Sequence, residues 1–316
     1  MAIGEINQRR LRYFHEILAR GSIRAAADAL NTASSVLTRQ MKLLEDEIGT
    51  PLFERGNRGV APTEAAHALL AYWRGCQSER AVFENTLQNL NGLQIGSVRL
   101  AISEGFVDPL MDHVLTPFIN AHPQLNISAK TLAVNDVISE VANDEVDIGL
   151  AYNPQPAARV TQHAIAANPV CVLMSGAHTL ASRNTPLTIA ELAPFPLALM
   201  SSAFGLGQIV RTVADLERVR LTPALVSNSV AMLKRFVRSG NGVTFLTYAA
   251  TLIDSADPAF CVAPLAHPLF GAAQSCVLVR EGRRLPNAAQ RVLDLIVEQM
   301  PLFGSEVHVS SALVRC

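Results

Sequence analysis

Apolar residues recur at helical spacing through the first 63 residues. Leu11, Phe14, Ile17 and Leu18 make a stripe closed by Gly21, which tolerates the left-handed backbone that ends a helix. Ser22 follows as an N-cap for "IRAAADAL", whose alanines permit close packing, and Asn31 and Thr32 break that helix. The next stretch, "NTASSVLTRQMKLLEDEIG", sorts into two faces at about 100° per residue. Leu37, Met41, Leu44 and Ile48 share a narrow sector, while Ser35, Thr38, Arg39 and Lys42 lie opposite and Ser34 stands between the faces at the helix start. In "PLFERGNRGVAPT" two glycines separate short extended pieces, as in a β-hairpin. Helix, helix, turn, helix and hairpin together outline a winged helix-turn-helix.

Residues 64 to about 92 lack proline and, apart from Gly75, lack glycine until Gly92. Leu69, Trp73, Cys76, Arg80, Phe83, Leu87 and Leu90 alternate at spacings of four and three, and only Arg80 among them is polar. This is the seam of a coiled coil pairing with a second copy, or the apolar side of a helix packed on its own domain; the length of the helix favours pairing. From Gly96 the pattern alternates strand and helix: "SVRLAIS", then "DPLMDHVLTPFINAH" closed by Pro123, "ISAKTL", "VNDVISEVANDEV" and "DIGLAY". A second set follows, with "PVCVLMS", "TIAELA", "PLALM", a helix from Gly205 to about Val219, "PALVSN", "SVAMLKRFV" and "GVTFLT". The chain closes with the strand "QSCVLVREG" and the helix "PNAAQRVLDLIVEQM". Alternation of this kind predicts parallel strands with helical crossovers, here in two α/β lobes with the chain returning to the first at its end. The cleft between the lobes is the expected ligand site, because open parallel sheets bind at the carboxyl ends of their strands.

Length agrees with several domains, since 316 residues exceed what one hydrophobic core comfortably holds. With 49% apolar and 17% charged residues the chain reads as globular, and its net charge of −1 means that a nucleic acid must be met by a local patch. The first 63 residues hold nine Lys or Arg against seven Asp or Glu, too small an excess to signal DNA by charge alone; the arrangement of Arg24, Arg39, Lys42, Arg55 and Arg58 around the polar helix face carries that expectation. Glu45, Asp46 and Glu47 are repelled by DNA, so the far end of this helix is expected to point away from it. No run of about 18 apolar residues exists and the first residues are charged, so the protein is expected in the cytoplasm, with no membrane partner. Cys76, Cys171, Cys261, Cys276 and Cys316 lie far apart without a CxxC pair, as suits reduced thiols filling the core.

With these residues in view the chain resembles a LysR-type transcriptional regulator over nearly its whole length. "GSIRAAADAL", "LTRQMKLLEDEIGTPLFER" and "PTEAA" carry the resemblance most specifically, and "GSVRLAIS", "EVDIGLA", "SGNGVTFL" and "PNAAQRVLDLI" follow in the right order. The resemblance implies a winged helix-turn-helix over 1–63, a dimerising linker helix over 64–93 and a two-lobed effector domain, similar to periplasmic binding proteins, over 94–302. Lobe I would span about 94–166 and 272–302, lobe II about 167–271, with a tail over 303–316. It further implies that Ser34, Ser35, Thr38 and Arg39 touch double-stranded operator DNA and that Arg58 reaches from the wing. Where the family commonly has Gln, this chain has Ser34, which cannot bond an adenine bidentately. For a small-molecule effector it implies contacts at Ser103, Glu104, Thr131, Ser201, Ser202, Phe204, Asn228, Ser229 and Thr247. Glu104 is unusual there, since an uncompensated carboxylate repels an anion; a neutral or amine-bearing effector, or a Glu104 that faces solvent, is expected. Pairs of dimers joined as a tetramer and contact with RNA polymerase complete the implied picture.

Other classes fit less well. The GxSxG, P-loop and HExxH patterns are absent and eight scattered histidines form no i, i+4 pair, so neither catalytic residues nor a metal or cofactor are expected. A transported-solute binder would have no use for the first 93 residues, and a peroxide sensor would need a cysteine pair where this chain reads "LMSSAFGLGQ".

Overall fold

Asn7 opens the first helix by accepting the amide hydrogens of Arg9 (2.9 Å) and Arg10 (3.4 Å) on its side-chain oxygen. Helix α1 (Gln8–Arg20) ends on Gly21 at φ 63°. Ser22 caps α2 (Ile23–Ala29), and Asn31, itself at φ 48°, breaks the chain before α3 (Ser34–Ile48). Strands β1 (Phe53–Gly56) and β2 (Gly59–Pro62) pair antiparallel, and α4 (Glu64–Leu90) follows. This computed structural model describes residues 6–56, 59–90, 96–183, 185–240, 242–252, 254 and 257–303. Leu11, Phe14, Ile17, Ala26, Leu37, Met41, Leu44, Leu52, Ala66 and Leu69 form the core of this region. Glu45 ties the hairpin to α3, its Oε1 accepting the amide hydrogens of Leu52 (2.8 Å) and Phe53 (3.4 Å).

The chain forms two compact units, Met1–Ala81 and Val82–Cys316, so the division falls within α4. Along α4, Leu69 is buried and Trp73 half-buried, whereas Phe83 and Leu87 are 61% and 42% exposed.

In the second unit β3 (Ser97–Ile102) leads into a helical run that changes pitch. It starts as a 3-10 turn over Glu104–Phe106, continues as α5 (Val107–Leu110), widens to a π turn over Met111–Leu115 and ends as α6 (Thr116–Ala121). The single helix expected over this stretch is therefore interrupted. Pro117 has no amide hydrogen and crowds the preceding turn, and the Thr116 amide bonds back five residues to the Met111 carbonyl. Next come β4 (Asn126–Thr131), α7 (Val134–Ala142), β5 (Ile148–Tyr152) and β6 (Val160–Ala167), an edge strand absent from the sequence reading. Strand β7 (Val170–Ser175), α8 (Ile189–Leu192), β8 (Leu197–Met200), α9 (Gly205–Leu216), β9 (Pro223–Ser227), α10 (Val230–Arg238) and β10 (Val243–Thr247) build the second sheet, joined by α11 (Tyr248–Thr251) and β11 (Phe260–Pro264), another strand not foreseen. Helix α12 (Pro268–Gly271), β12 (Gln274–Arg280) and α13 (Asn287–Gln299) complete the order.

The two five-stranded sheets run β4-β3-β5-β12-β6 and β11-β7-β10-β8-β9. The expectation of parallel strands holds for β4-β3-β5 and β9-β8-β10 only; β12 pairs antiparallel with β5 and β6, and β7 antiparallel with β10 and β11. Both sheets are mixed because β7 and β12, the strands that follow the passages between the lobes, each lie between two neighbours and run antiparallel to both.

A buried ion network closes the amino ends of β3 and β5. Arg283 sets its Nη1 2.6 Å from Asp144 Oδ1 and its Nη2 2.7 Å from Asp147 Oδ1, and Arg99 donates to Asp147 from its backbone amide (2.8 Å) and from Nη2 (2.9 Å). These strands then deliver their carboxyl ends, Ser103 and Tyr152, to the opposite side of the sheet. Among the described residues Cys76, Cys171 and Cys276 are free thiols, as expected for them, and Cys316 lies outside the described residues.

Candidate functional site

Helix α3 keeps the two faces that its spacing predicts. Leu37, Met41 and Leu44 are buried and Ile48 half-buried, while Ser34, Ser35, Thr38, Arg39 and Lys42 are all exposed. Its N-cap is Ala33, which supplies no side-chain bond, and no acidic residue occupies the first turn. The helix therefore presents its partial positive end and two serines to whatever approaches. Thr38 Oγ1 donates to the Ser34 carbonyl at 2.9 Å, which orients that hydroxyl along the helix. Arg24 is exposed on α2. The side chain of Arg55 and the whole of Arg58 lie outside the described residues. The acidic end of α3 is engaged within the fold: Glu45 holds the hairpin, and Glu47 pairs with Arg10, which also donates to Gln40 Oε1 (3.1 Å).

Between the two sheets of the second unit lies a cleft reached by the carboxyl ends of β3, β5, β8 and β10 and by the starts of α9 and α10. Of the residues expected there, Ser103, Glu104, Phe204 and Thr247 line it; Thr131, Ser201, Ser202, Asn228 and Ser229 do not. Thr131 is exposed at the end of edge strand β4. Ser201 Oγ accepts from the Ala203 amide (3.4 Å), and Ser202 and Asn228 are exposed. Ser229 caps α10 by accepting from the Met232 amide at 3.4 Å. The lining that sequence reasoning missed is mainly apolar: Phe106, Tyr152, Met200, Leu206, Val230, Leu246 and Ala250, with Gly105, Gly205 and Asn168. Tyr152 and Met200 end their strands as Ile102 ends the strand before Ser103, so strand-end position is the signal that points to them.

Asn168, at the passage from β6 to β7, organises the floor. Its Nδ2 donates to Ser275 Oγ (2.9 Å), its Oδ1 accepts from the Ala249 amide (3.0 Å), and its carbonyl accepts from the Tyr152 hydroxyl (3.0 Å). Burial pushes the Tyr152 phenol far above its usual range, so it remains a donor. A side chain at Gly205 would run into the Tyr152 carbonyl, which is why α9 must begin with glycine to come this close. Glu104 Oε1 accepts from the Val230 amide (3.3 Å), so this carboxylate from the first lobe sits on the N-terminus of α10 in the second. Ser103 Oγ is buried with no hydrogen-bond partner, in a residue only 6% exposed. Burial pushes the Cys171 thiol up to about 12 and Cys276 up to about 11, which leaves both protonated and poorly nucleophilic. Among the described residues no group of three His, Cys, Asp or Glu side chains is placed to hold a metal ion.

The family description "LysR substrate binding domain" matches residues 91–301, and "Bacterial regulatory helix-turn-helix protein, lysR family" matches residues 8–67. The chain belongs to the LysR family. It is a LysR-type transcriptional regulator with a helix-turn-helix and a substrate-binding domain, not an enzyme. This regulator is 24% identical over 303 residues to the HTH-type transcriptional activator CmpR of Synechocystis sp., covering 95% of this chain and 96% of that one. It is 24% identical over 242 residues to the RuBisCO operon transcriptional regulator of Allochromatium vinosum, covering 77% and 80% of the two chains. A full-length OxyR variant from Pseudomonas aeruginosa shares its fold with a TM-score of 0.65 at 20% identity, over 92% of this regulator and 98% of that chain. Among the described residues no helix is long and apolar enough to cross a membrane.

Proposed function

We propose that this regulator binds operator DNA through the exposed front of α3 and that a small molecule in the cleft between the lobes modulates transcription. In this reading Ser34, Ser35, Thr38 and Arg39 face the major groove, and Arg24, Lys42, Arg55 and Arg58 meet the phosphate backbone or the minor groove. The observation that carries it is the division of α3 into a buried aliphatic back and a fully exposed hydroxyl-and-cation front with an uncapped N-terminus. Residues 1–63 serve as the DNA-binding domain, 64–93 as a helix that pairs with a second copy, and 94–302 as the effector domain. The exposed Phe83 and Leu87 on α4 support pairing, since two large apolar side chains at seam positions otherwise stay in water. Dimers joined as a tetramer, contact with RNA polymerase and action in the cytoplasm complete the proposal.

The effector set narrows to Ser103, Glu104, Phe204 and Thr247, joined by Tyr152, Asn168, Leu206 and Val230. A ligand that bridges the lobes favours one arrangement of the domain over another, and that difference in affinity drives the response. The direct test uses DNA fragments retained by the purified protein as the operator. Arg39→Ala should weaken retardation of that DNA by about 1–3 kcal/mol and leave ligand binding in the cleft intact. Undiminished retardation would remove Arg39 from the DNA face.

A further inference from the structure

We infer that the cleft selects a compact apolar molecule bearing an ammonium group and rejects small carboxylates, because Glu104 holds the helix terminus that an anion would use. This rests on the reading of the cleft as the effector site and adds the chemical class of its ligand. Helix α10 is nine residues long, and its first amides form the anion-attracting end that faces the cleft at Val230. Two of its first three amides are already engaged: Ser229 accepts from Met232, and Glu104 Oε1 accepts from Val230. A second carboxylate would have to displace Glu104 or lie against it, without compensation from any Lys, Arg or His in the lining.

Charge next to the cleft points the same way. Glu104 and Asp108 lie one helical turn apart, as do Val230 and Lys234, and the two pairs meet across the lobes. Lys234 Nζ lies 2.7 Å from Asp254 Oδ2 and 3.9 Å from Asp108 Oδ2, so this ammonium is engaged by two carboxylates of its own. Glu104, Asp108 and Asp254 together outnumber it three to one. The independent sign that the cleft awaits a polar group is Ser103 Oγ, buried without a partner beside Glu104. A hydroxyl there accepts from an ammonium N–H while the carboxylate supplies the countercharge, and Phe106, Met200, Phe204, Leu206 and Leu246 enclose the apolar body.

Three probes of one skeleton, benzylamine, benzyl alcohol and benzoate, titrated calorimetrically into the full-length protein, test this. Benzylamine should bind at millimolar concentration and benzoate at least about tenfold more weakly. Glu104→Gln keeps an acceptor for the Val230 amide but removes the charge, and should lower benzylamine affinity about tenfold while sparing benzyl alcohol. Glu104→Ala frees that amide and should raise benzoate binding. The inference is overturned if benzoate binds the wild type as tightly as benzylamine, if benzylamine does not bind, or if Glu104→Gln leaves the order unchanged. Ala250→Trp, which fills the cleft, separates the two levels: benzoate binding as tight as that of benzylamine and abolished by Ala250→Trp overturns the ligand class and keeps the cleft. Probe binding that survives Ala250→Trp overturns the cleft itself.

Discussion

The N-termini of α3 and α10 are built alike in sequence and finished in opposite ways. Each opens beside serine and each belongs to an amphipathic helix, but α3 starts from Ala33 with no side-chain cap, whereas α10 starts from Ser229 with both a cap and a carboxylate from the other lobe. An uncapped end retains its partial positive charge for an outside anion, and a filled end presents the charge of whatever fills it. In the proposed reading the same element is open to phosphate in one unit and turns carboxylates away in the other.

Removing the support of the open end should have the largest effect. Leu37 is fully buried behind the polar front of α3, so Leu37→Ala should cost about 2–5 kcal/mol and abolish operator binding through unfolding of the N-terminal unit. Thermal melting followed by circular dichroism checks this, and an unchanged melting curve would contradict the packing. Closing the open end is the sharper experiment. Ala33→Asp supplies the missing cap and should stabilise the N-terminal unit by about 1 kcal/mol while weakening operator affinity, because a carboxylate then stands where phosphate approaches. A gain in both stability and affinity would show that the α3 terminus does not meet phosphate. Opening the closed end should matter least: Ser229→Ala removes the bond to the Met232 amide and should destabilise the effector domain by about 1 kcal/mol in urea titration, with Glu104 still in place on Val230.

Much of the N-terminal unit was legible in the sequence because its signals are local. Gly21 at φ 63° and the Ser22 cap depend only on neighbours a few residues away, and the burial of Leu37, Met41 and Leu44 follows their spacing. The second unit was less so. Strand β6 escaped notice because it runs at a sheet edge with most residues at least partly exposed, and β11 is a short strand ending in Pro264. The direction of β12 was not legible at all, since an apolar run reads the same in a parallel or an antiparallel partner. In the cleft, the family resemblance implied Ser201 and Ser229, whose oxygens serve their own turns, and of the apolar walls it implied Phe204 alone.

By itself the sequence determined the helix-turn-helix, the long α4, the two α/β lobes and the membership in a regulator family, because periodicity, capping and motif spacing are properties of contiguous residues. The tertiary structure alone decided that Glu104 would rest on the Val230 amide, a contact between residues 126 positions apart. It also decided that Ser103 would be buried without a partner and that Asn168 would tie three segments of the cleft floor together. Such contacts depend on how two sheets approach, and no local pattern encodes the distance between side chains that only the packed lobes bring together.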